Sequence, residues 1–394
     1  MDVTTKIDSR TTMFALAICM VTAMGTIQMQ PVLGGALVDR MGISLQQMGM
    51  LFGIELVSMA LACTVAAFGT HRQNRQQLAR AALVVLLIAS TWSTLAESFA
   101  MLCIARLLAG ASGGVAQAVV YASAALRTHK DKTFAVLNIC ILLWGATCLG
   151  ILPPVISAFG IPAVFAGFIM LCLLSLGLCG RIPAQAPASE QGDPGRAAVK
   201  ALRTNSTLLL VLVVLLFAGH GALWVYQERI GKAMGIAPDR IGMILGLSVL
   251  SGAAGAALAG IVGRRISHCT AQLIAFTGSI LATLLMVYGS GLAVYALTAC
   301  VIMLVWFFGL TSLLTLTAEM DPTGRLPGLA NAAIFMGQAL GPVVGAVAVG
   351  VGSFRSVGWA AAAIYAIALT LSVLVTSRHA RGECHRAPSP LSPT

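Results

Sequence analysis

Three titratable side chains stand inside long apolar stretches of the chain: Glu55, Arg106 and His220. An ionisable group at the centre of a membrane-spanning helix costs about 2.5–3.5 kcal/mol on insertion scales, so each needs a reason to be there. A carboxylate in such a place can take up and release a proton as its surroundings pass from wet to dry, or as a cation engages and leaves it. Arg106 is a permanent cation that requires a carboxylate or an anionic ligand. Glu55 is the one acid well inside an apolar run of the first half. The three are therefore candidates for proton coupling, and the structural alternative is a fixed Glu55–Arg106 pair that holds helices together. His220 can equally serve as a hydrogen-bonding group between helices. Gln28, Gln30, Gln117, Asn138, Gln227, Asn331 and Gln338 are candidate contacts for a small-molecule substrate, with interhelical bonding as their alternative.

The elements that must position these groups follow from composition. Of 394 residues, 58% are hydrophobic and 9% charged, where an average soluble domain has about 25% charged residues. The net charge of +11 comes in short clusters between apolar runs, without a basic stripe interleaved with aromatics, so no nucleic-acid partner is expected. The cysteines lie singly, nine of them in apolar runs and Cys384 in the tail, with no Cys/His ligand spacing. They read as small packing residues, and no metal or cofactor is expected. The polar N-terminus leads into a run too long for a signal-peptide core, so that run is expected to remain as the first helix.

A spanning helix takes about 20 apolar residues. Runs of that kind give an all-α integral membrane protein with spans at 13–36, 47–68, 80–97, 99–123, 134–157, 161–180, 206–228, 240–263, 269–289, 293–318, 326–350 and 355–377. The third and fourth, around Glu97, are the least separable. At 1.5 Å per residue, Glu55 and His220 lie about 12 Å and Arg106 about 10 Å below the same edge, so the three are expected to form one site. With the N-terminus inside, 18 Lys and Arg fall in cytoplasmic segments and five in outer loops, out of 24. That bias places both termini in the cytoplasm of a multi-pass inner-membrane protein. The Pro-, Ala- and charge-rich stretch 181–205 reads as a flexible cytoplasmic linker between a six-helix bundle at 1–180 and another at 206–377, with a cytoplasmic tail at 378–394.

The two bundles repeat. Met41-Gly42-Ile43, followed by Met48-Gly49-Met50-Leu51-Phe52-Gly53, falls at an offset of 193 on Met234-Gly235-Ile236, followed by Ile241-Gly242-Met243-Ile244-Leu245-Gly246. The same offset carries Asn138 onto Asn331. Repeats of six helices keep the same orientation, so an axis along the membrane normal relates them, an arrangement that places substrate between the halves.

Over essentially its whole length the chain resembles the major facilitator superfamily, and within it the bacterial drug and metabolite efflux branch. The fourth helix carries Arg106-Leu107-Leu108-Ala109-Gly110-Ala111-Ser112-Gly113-Gly114. The fifth has a weakened antiporter motif in Gly145, Gly150 and Pro153-Pro154, and the eleventh has Gly337-Gln338-Ala339-Leu340-Gly341-Pro342-Val343-Val344-Gly345. The loop after the second helix, Gly69-Thr70-His71-Arg72-Gln73-Asn74-Arg75, lacks the acid that the family uses as a latch. The resemblance implies a monomeric secondary transporter that exchanges a small molecule for protons across the lipid bilayer. Gly110, Gly114, Gly150, Pro153, Gly341 and Pro342 are its expected packing and gating residues. No nucleotide loop or nucleophile with a placed base argues for an enzyme. The competing transport reading is proton-driven uptake of an organic anion, with Arg106 and His220 supplying positive charge.

The topology is open to labelling with an impermeant maleimide. In a Cys384→Ser background, a cysteine at Ser189 is expected to react only from the cytoplasmic side and one at Lys232 only from the outside. Labelling of position 189 from outside would overturn the assignment of both halves.

Overall fold

The computed structural model describes residues 7–69, 73–184, 204–263, 265–320 and 325–384. Most of the expected linker, the end of the tail and residues 70–72 of the latch loop lie outside them. The chain folds as α1 (Arg10–Gln28), α2 (Gln30–Met41), α3 (Leu45–Gly69), α4 (Arg75–Thr94), α5 (Phe99–Ala124), α6 (Lys130–Phe159) and α7 (Ile161–Leu178). The second set is α8 (Thr204–Trp224), α9 (Gln227–Ala233), α10 (Pro238–Val262), α11 (His268–Tyr288), α12 (Leu292–Met320), α13 (Arg325–Val351) and α14 (Phe354–Cys384). Among the described residues, twelve helices are long and apolar enough to cross a membrane, and this is the twelve-span all-α architecture expected from the apolar runs. Hydrocarbon offers no hydrogen-bond partner, so the spanning backbone must satisfy itself as helix.

Several boundaries differ from the reading of the apolar runs, among them a break at Val225–Tyr226 between α8 and α9. The third and fourth spans are separated at Leu95–Ser98, where the Ser98 hydroxyl accepts from the Met101 amide at 3.3 Å and starts α5. The last helix runs on to Cys384. The first run is broken at Met29, because Pro31 has no N–H to give the Ile27 carbonyl and its ring crowds that carbonyl. The Ile27 oxygen instead accepts a long bond, 3.4 Å, from the Trp224 indole at the end of α8. Both Gln28 and Gln30 flank the break.

The repeat is explicit in the backbone. At the offset of 193, Leu45 and Gly69, the ends of α3, fall on Pro238 and Val262, the ends of α10. Gly42 and Gly235, equivalent in the repeat, both take left-handed backbone (φ +66° and +78°) and turn the chain into those helices. The equivalent glycines of α3 and α10 then make the two seams between the sets. A Cβ on Gly49 would lie 3.0 Å from the Pro342 oxygen of α13, and one on Gly242 would lie 2.4 Å from the Leu149 oxygen of α6. Leu149 and Pro342 are themselves equivalent at the same offset. The Leu149 carbonyl is the one that Pro153 leaves without its helical donor, so α10 approaches a frayed point of α6 that only glycine allows it to reach.

Both seams lie toward the face opposite the termini. One apolar core there draws on both sets, including Phe52, Leu149, Tyr226 and Ile241. Nearer the terminal face one core draws on the first set together with Ala339 of α13, and another on the second set; Phe335 also meets Cys63 and Ala118 across them. An ion network closes the far end. Arg229 grips Asp39 with two nitrogens at 2.8 and 3.0 Å, Lys232 reaches the same carboxylate at 2.6 Å, and Glu228 lies against Arg229. Asp39 and Lys232 are equivalent at the offset of 193, and equivalent positions can touch only near the axis that relates the repeats. The pair marks where that axis leaves the molecule. Hydrogen bonds from Arg229, more than the further bond from Lys232, hold the Asp39 carboxyl down from 3.8 to about 2.

This end of the molecule can be tested at two points. Gly242→Val is expected to raise the reactivity of cysteines placed on the far face, since overpacking of this kind costs about 1–3 kcal/mol. Gly260→Ala, where a Cβ meets nothing within 4 Å, is the neutral control, and equal reactivity in both would dismiss the seam. Because the Asp39 carboxyl is depressed, its contribution is present above its ordinary value of 3.8 and lost as pH falls toward about 2. Far-face accessibility of the native chain, read as the labelling rate relative to a fully exposed cysteine at the same pH, is therefore flat from pH 5 to 8, while Asp39→Asn raises it throughout that range. A native chain that opens between pH 8 and 5 would assign closure to another group.

Candidate functional site

Helix α8 presents Phe217, His220, Gly221 and Trp224 at spacings of three and four, one face of a helix. That face borders a cavity of about 100 Å³ between the two sets of helices. Gln28 and Gln30, at the break of α1, line it from the other set, and Met303, Trp306 and Phe307 of α12 and Gln338 of α13 complete much of the wall. His220 stacks with two indoles. Its ring centroid lies 4.4 Å from Trp306 and 5.6 Å from Trp224, with planes within about 26° of parallel. Phe217 and Phe307 meet Trp306 edge-on at 4.8 and 4.7 Å. The indole N–H groups are committed to backbone, Trp306 to Leu216 at 3.2 Å and Trp224 to Ile27.

Two amides in this wall are incompletely used. The Gln30 Nε2, on a side chain 1% exposed, and the Gln338 Oε1 have no partner among the described residues. A buried donor or acceptor left unpaired costs about 1–3 kcal/mol, a penalty a ligand can relieve. No Asp, Glu, Lys or Arg is among the residues that line the cavity.

Glu55 and Arg106 do not join His220 there. They form a separate pair inside the first set of helices, 2% and 1% exposed. The Arg106 Nη1 lies 3.4 Å from the Glu55 Oε1, and that oxygen also accepts from the Thr26 hydroxyl at 2.7 Å. The Arg106 Nη2 donates to the Ser93 hydroxyl at 2.6 Å, and the guanidinium sits 5.1 Å from the centre of the Phe165 ring. The second Glu55 oxygen and the Arg106 Nε are unpartnered among the described residues. The local sequence explains the location. Gly110 lies one turn from Arg106 on α5, and a Cβ there would fall 2.0 Å from the Glu55 carbonyl oxygen of α3; Gly114 stands equally close to the Met59 oxygen. These glycines bring the two backbones together and carry the arginine to the glutamate. The expectation of one site for three titratable groups is thus corrected: the pair points into its own bundle and His220 borders the cavity between the bundles.

The remaining candidates scatter. Gln117 is buried and reaches Met24 and Tyr121. Gln227 is buried with neither side-chain amide atom partnered among the described residues. Neither lines the cavity, and Asn138 and Asn331 lie exposed away from it. Gly341 packs on Gly221, Pro342 borders the cavity, Pro153 packs on Gly242, and Gly150 has nothing within 4 Å. The sequence reading did not single out the aromatic wall or Asp39. The 217-220-224 spacing was a usable signal for the α8 part of the wall, and the repeat offset from Asp39 to Lys232 was one for the far-face network. Nothing in the sequence links Trp306 to either.

The fold is shared with solved structures. The crystal structure of a point mutant of the nucleoside transporter NupG superposes with a TM-score of 0.75 at 12% identity, covering 95% of this chain and 100% of that one. A second structure of NupG gives 0.72 at 11% identity, with 95% and 99% covered. At that identity the likeness is one of fold. No curated protein matches the chain. The family model of the Major Facilitator Superfamily matches residues 13–327, and the chain belongs to that family of membrane transporters.

Proposed function

We propose that the protein is a proton-coupled secondary transporter that exports a small organic molecule across the inner membrane, working as a monomer with both termini in the cytoplasm. The bundles at 1–180 and 206–377, joined by 181–205, rock about the central cavity, where Gln28, Gln30, His220 and Gln338 meet the substrate. The observation that carries the coupling is the buried Glu55–Arg106 pair, whose carboxylate keeps one oxygen free of protein partners among the described residues. Ionised, Glu55 holds Arg106 and Thr26 together. Protonated, it loses the charge that offsets Arg106, and the guanidinium is left to Ser93 and the Phe165 face. The link to gating runs along α3, which carries Glu55, packs on α5 through Gly110 and Gly114, and makes the seam with α13 through Gly49 and Gly53. The link to substrate runs along α1, where Thr26 stands two residues from Gln28 at the helix break.

Export is the direction favoured by the resemblance to the efflux branch, through Gly145 to Pro154 and Gly337 to Gly345. Uptake of an organic anion is the weaker reading, because Arg106 is turned into its bundle and no basic side chain other than His220 borders the cavity.

Glu55→Gln in proteoliposomes is the direct test. Transport driven by an imposed pH gradient is expected to fall at least tenfold while substrate counterflow survives, since binding and rocking need no proton. Arg106→Ala is expected to impair both, because removing one member of a buried pair costs about 3–5 kcal/mol. Normal pH-driven accumulation by the Glu55→Gln protein would make the pair structural and return His220 as the coupling candidate.

A further inference from the structure

We infer that the central cavity takes a neutral, planar heteroaromatic ring that carries a hydrogen-bond acceptor and a donor on its edge. This rests on the reading of the cavity as the substrate site and names the class of substrate. The first observation is the arrangement of π-faces. Trp224, His220 and Trp306 lie nearly parallel, while Phe217 and Phe307 frame the Trp306 end edge-on. A cavity bordered by such aromatic side chains rewards a flat ring, which packs on the aromatic surface they leave uncovered, over an aliphatic or sugar-like solute. Because both indole N–H groups are spent on backbone carbonyls and His220 stacks on each indole, the rings are held in place and offer the ligand only their remaining apolar surface.

The second observation is independent of the first. The Gln30 Nε2 is a buried donor and the Gln338 Oε1 a buried acceptor, neither with a partner among the described residues, and both side chains border the cavity. They call for an acceptor and a donor on the ligand. A site built with unpaired polar groups also discriminates strongly against analogues that leave them unpaired. The third observation is charge. An aromatic slot alone would also attract an organic cation, but no carboxylate borders the cavity, and Glu55, the acid of the adjacent bundle, is engaged by Arg106. A cation would be desolvated here without a counter-ion, and a carboxylate ligand would meet no lysine or arginine.

The test uses the full-length protein in lipid nanodiscs without any gradient, reading thermal stabilisation and quenching of tryptophan fluorescence. Hypoxanthine, uridine and nicotinamide represent the ring class, while glucose, leucine, choline and benzoate represent its rivals. At least one ring compound is expected to bind saturably. Trp306→Leu should weaken it at least about fivefold, Trp306→Phe should restore most of the loss, and Gln30→Leu should weaken it to a similar degree. Should Trp306→Leu fail to fold, the Gln30 and Phe variants carry the decision. Binding of a rival in place of the rings, binding of nothing in the panel, or ring binding indifferent to Trp306→Phe, Trp306→Leu and Gln30→Leu alike would overturn the inference. Because no gradient is applied, loss of pH-driven transport in other assays leaves this result standing. A choline or glucose result removes the ring while leaving the transport reading intact.

Discussion

The structure depends on one constraint: hydrocarbon supplies nothing to a polar group, so every donor, acceptor and charge within the membrane must be answered by the protein itself. Regular helix answers most of the backbone. Where proline interrupts it, the answer comes from across the molecule. Pro31 strips the Ile27 carbonyl of its helical donor, and the Trp224 indole from the other set of helices takes its place. Pro153 does the same to Leu149, and α10 closes on that carbonyl through Gly242. Defects in single helices thereby become contacts between bundles. They are weak contacts.

Duplication turns this into a mechanism of closure. The glycines at 49 and 242, and the carbonyls of Pro342 and Leu149 that they approach, are the same contact made twice around one axis. Asp39 and Lys232 are one position used twice with opposite charge, which converts a like-with-like encounter on the axis into an ion pair. The Asp39–Lys232 bond joins side chains that are 42% and 45% exposed, so it is screened and contributes little alone. The bidentate grip of buried Arg229 on the same carboxylate is the stronger contact.

Much of the architecture was legible in the residues. Twelve apolar runs and the repeat at an offset of 193 follow from one-dimensional pattern, and apolar runs of that length are what a bilayer imposes. The site was less legible. Depth along a helix can be counted at 1.5 Å per residue, and that count alone suggested one site for Glu55, Arg106 and His220. The direction a side chain takes around the helix depends on which neighbour packs where, and that is fixed by contacts such as Gly110 against the Glu55 carbonyl. Two of the three groups therefore turned inward to their own bundle while the third faced the cavity. Trp306 and Phe307 were unreadable for the same reason: nothing along α12 marks which of its apolar faces meets α8.

The scaffold is duplicated but its chemistry is not. At the repeat offset Glu55 falls on Ser248, Arg106 on Ala299, and His220 on Ile27. Ser248 and Ala299 are fully buried, and the Ser248 hydroxyl is satisfied within its own helix by the Leu245 carbonyl. The second bundle has therefore filled with small side chains the place where the first holds an ion pair, and it carries the aromatic wall instead. A charge confined to one bundle and a cavity lined mainly by the other divide labour without needing direct contact. The shared parts are α1 and α3, which hold Thr26 and Glu55 on one side and present Gln28 and Leu56 to the cavity on the other. Any influence of the pair on the substrate has to pass through the position of these two helices, because no pair atom borders the cavity. The seam glycines lie on α3 as well, so a shift of that helix moves the cavity wall and the far-face closure together.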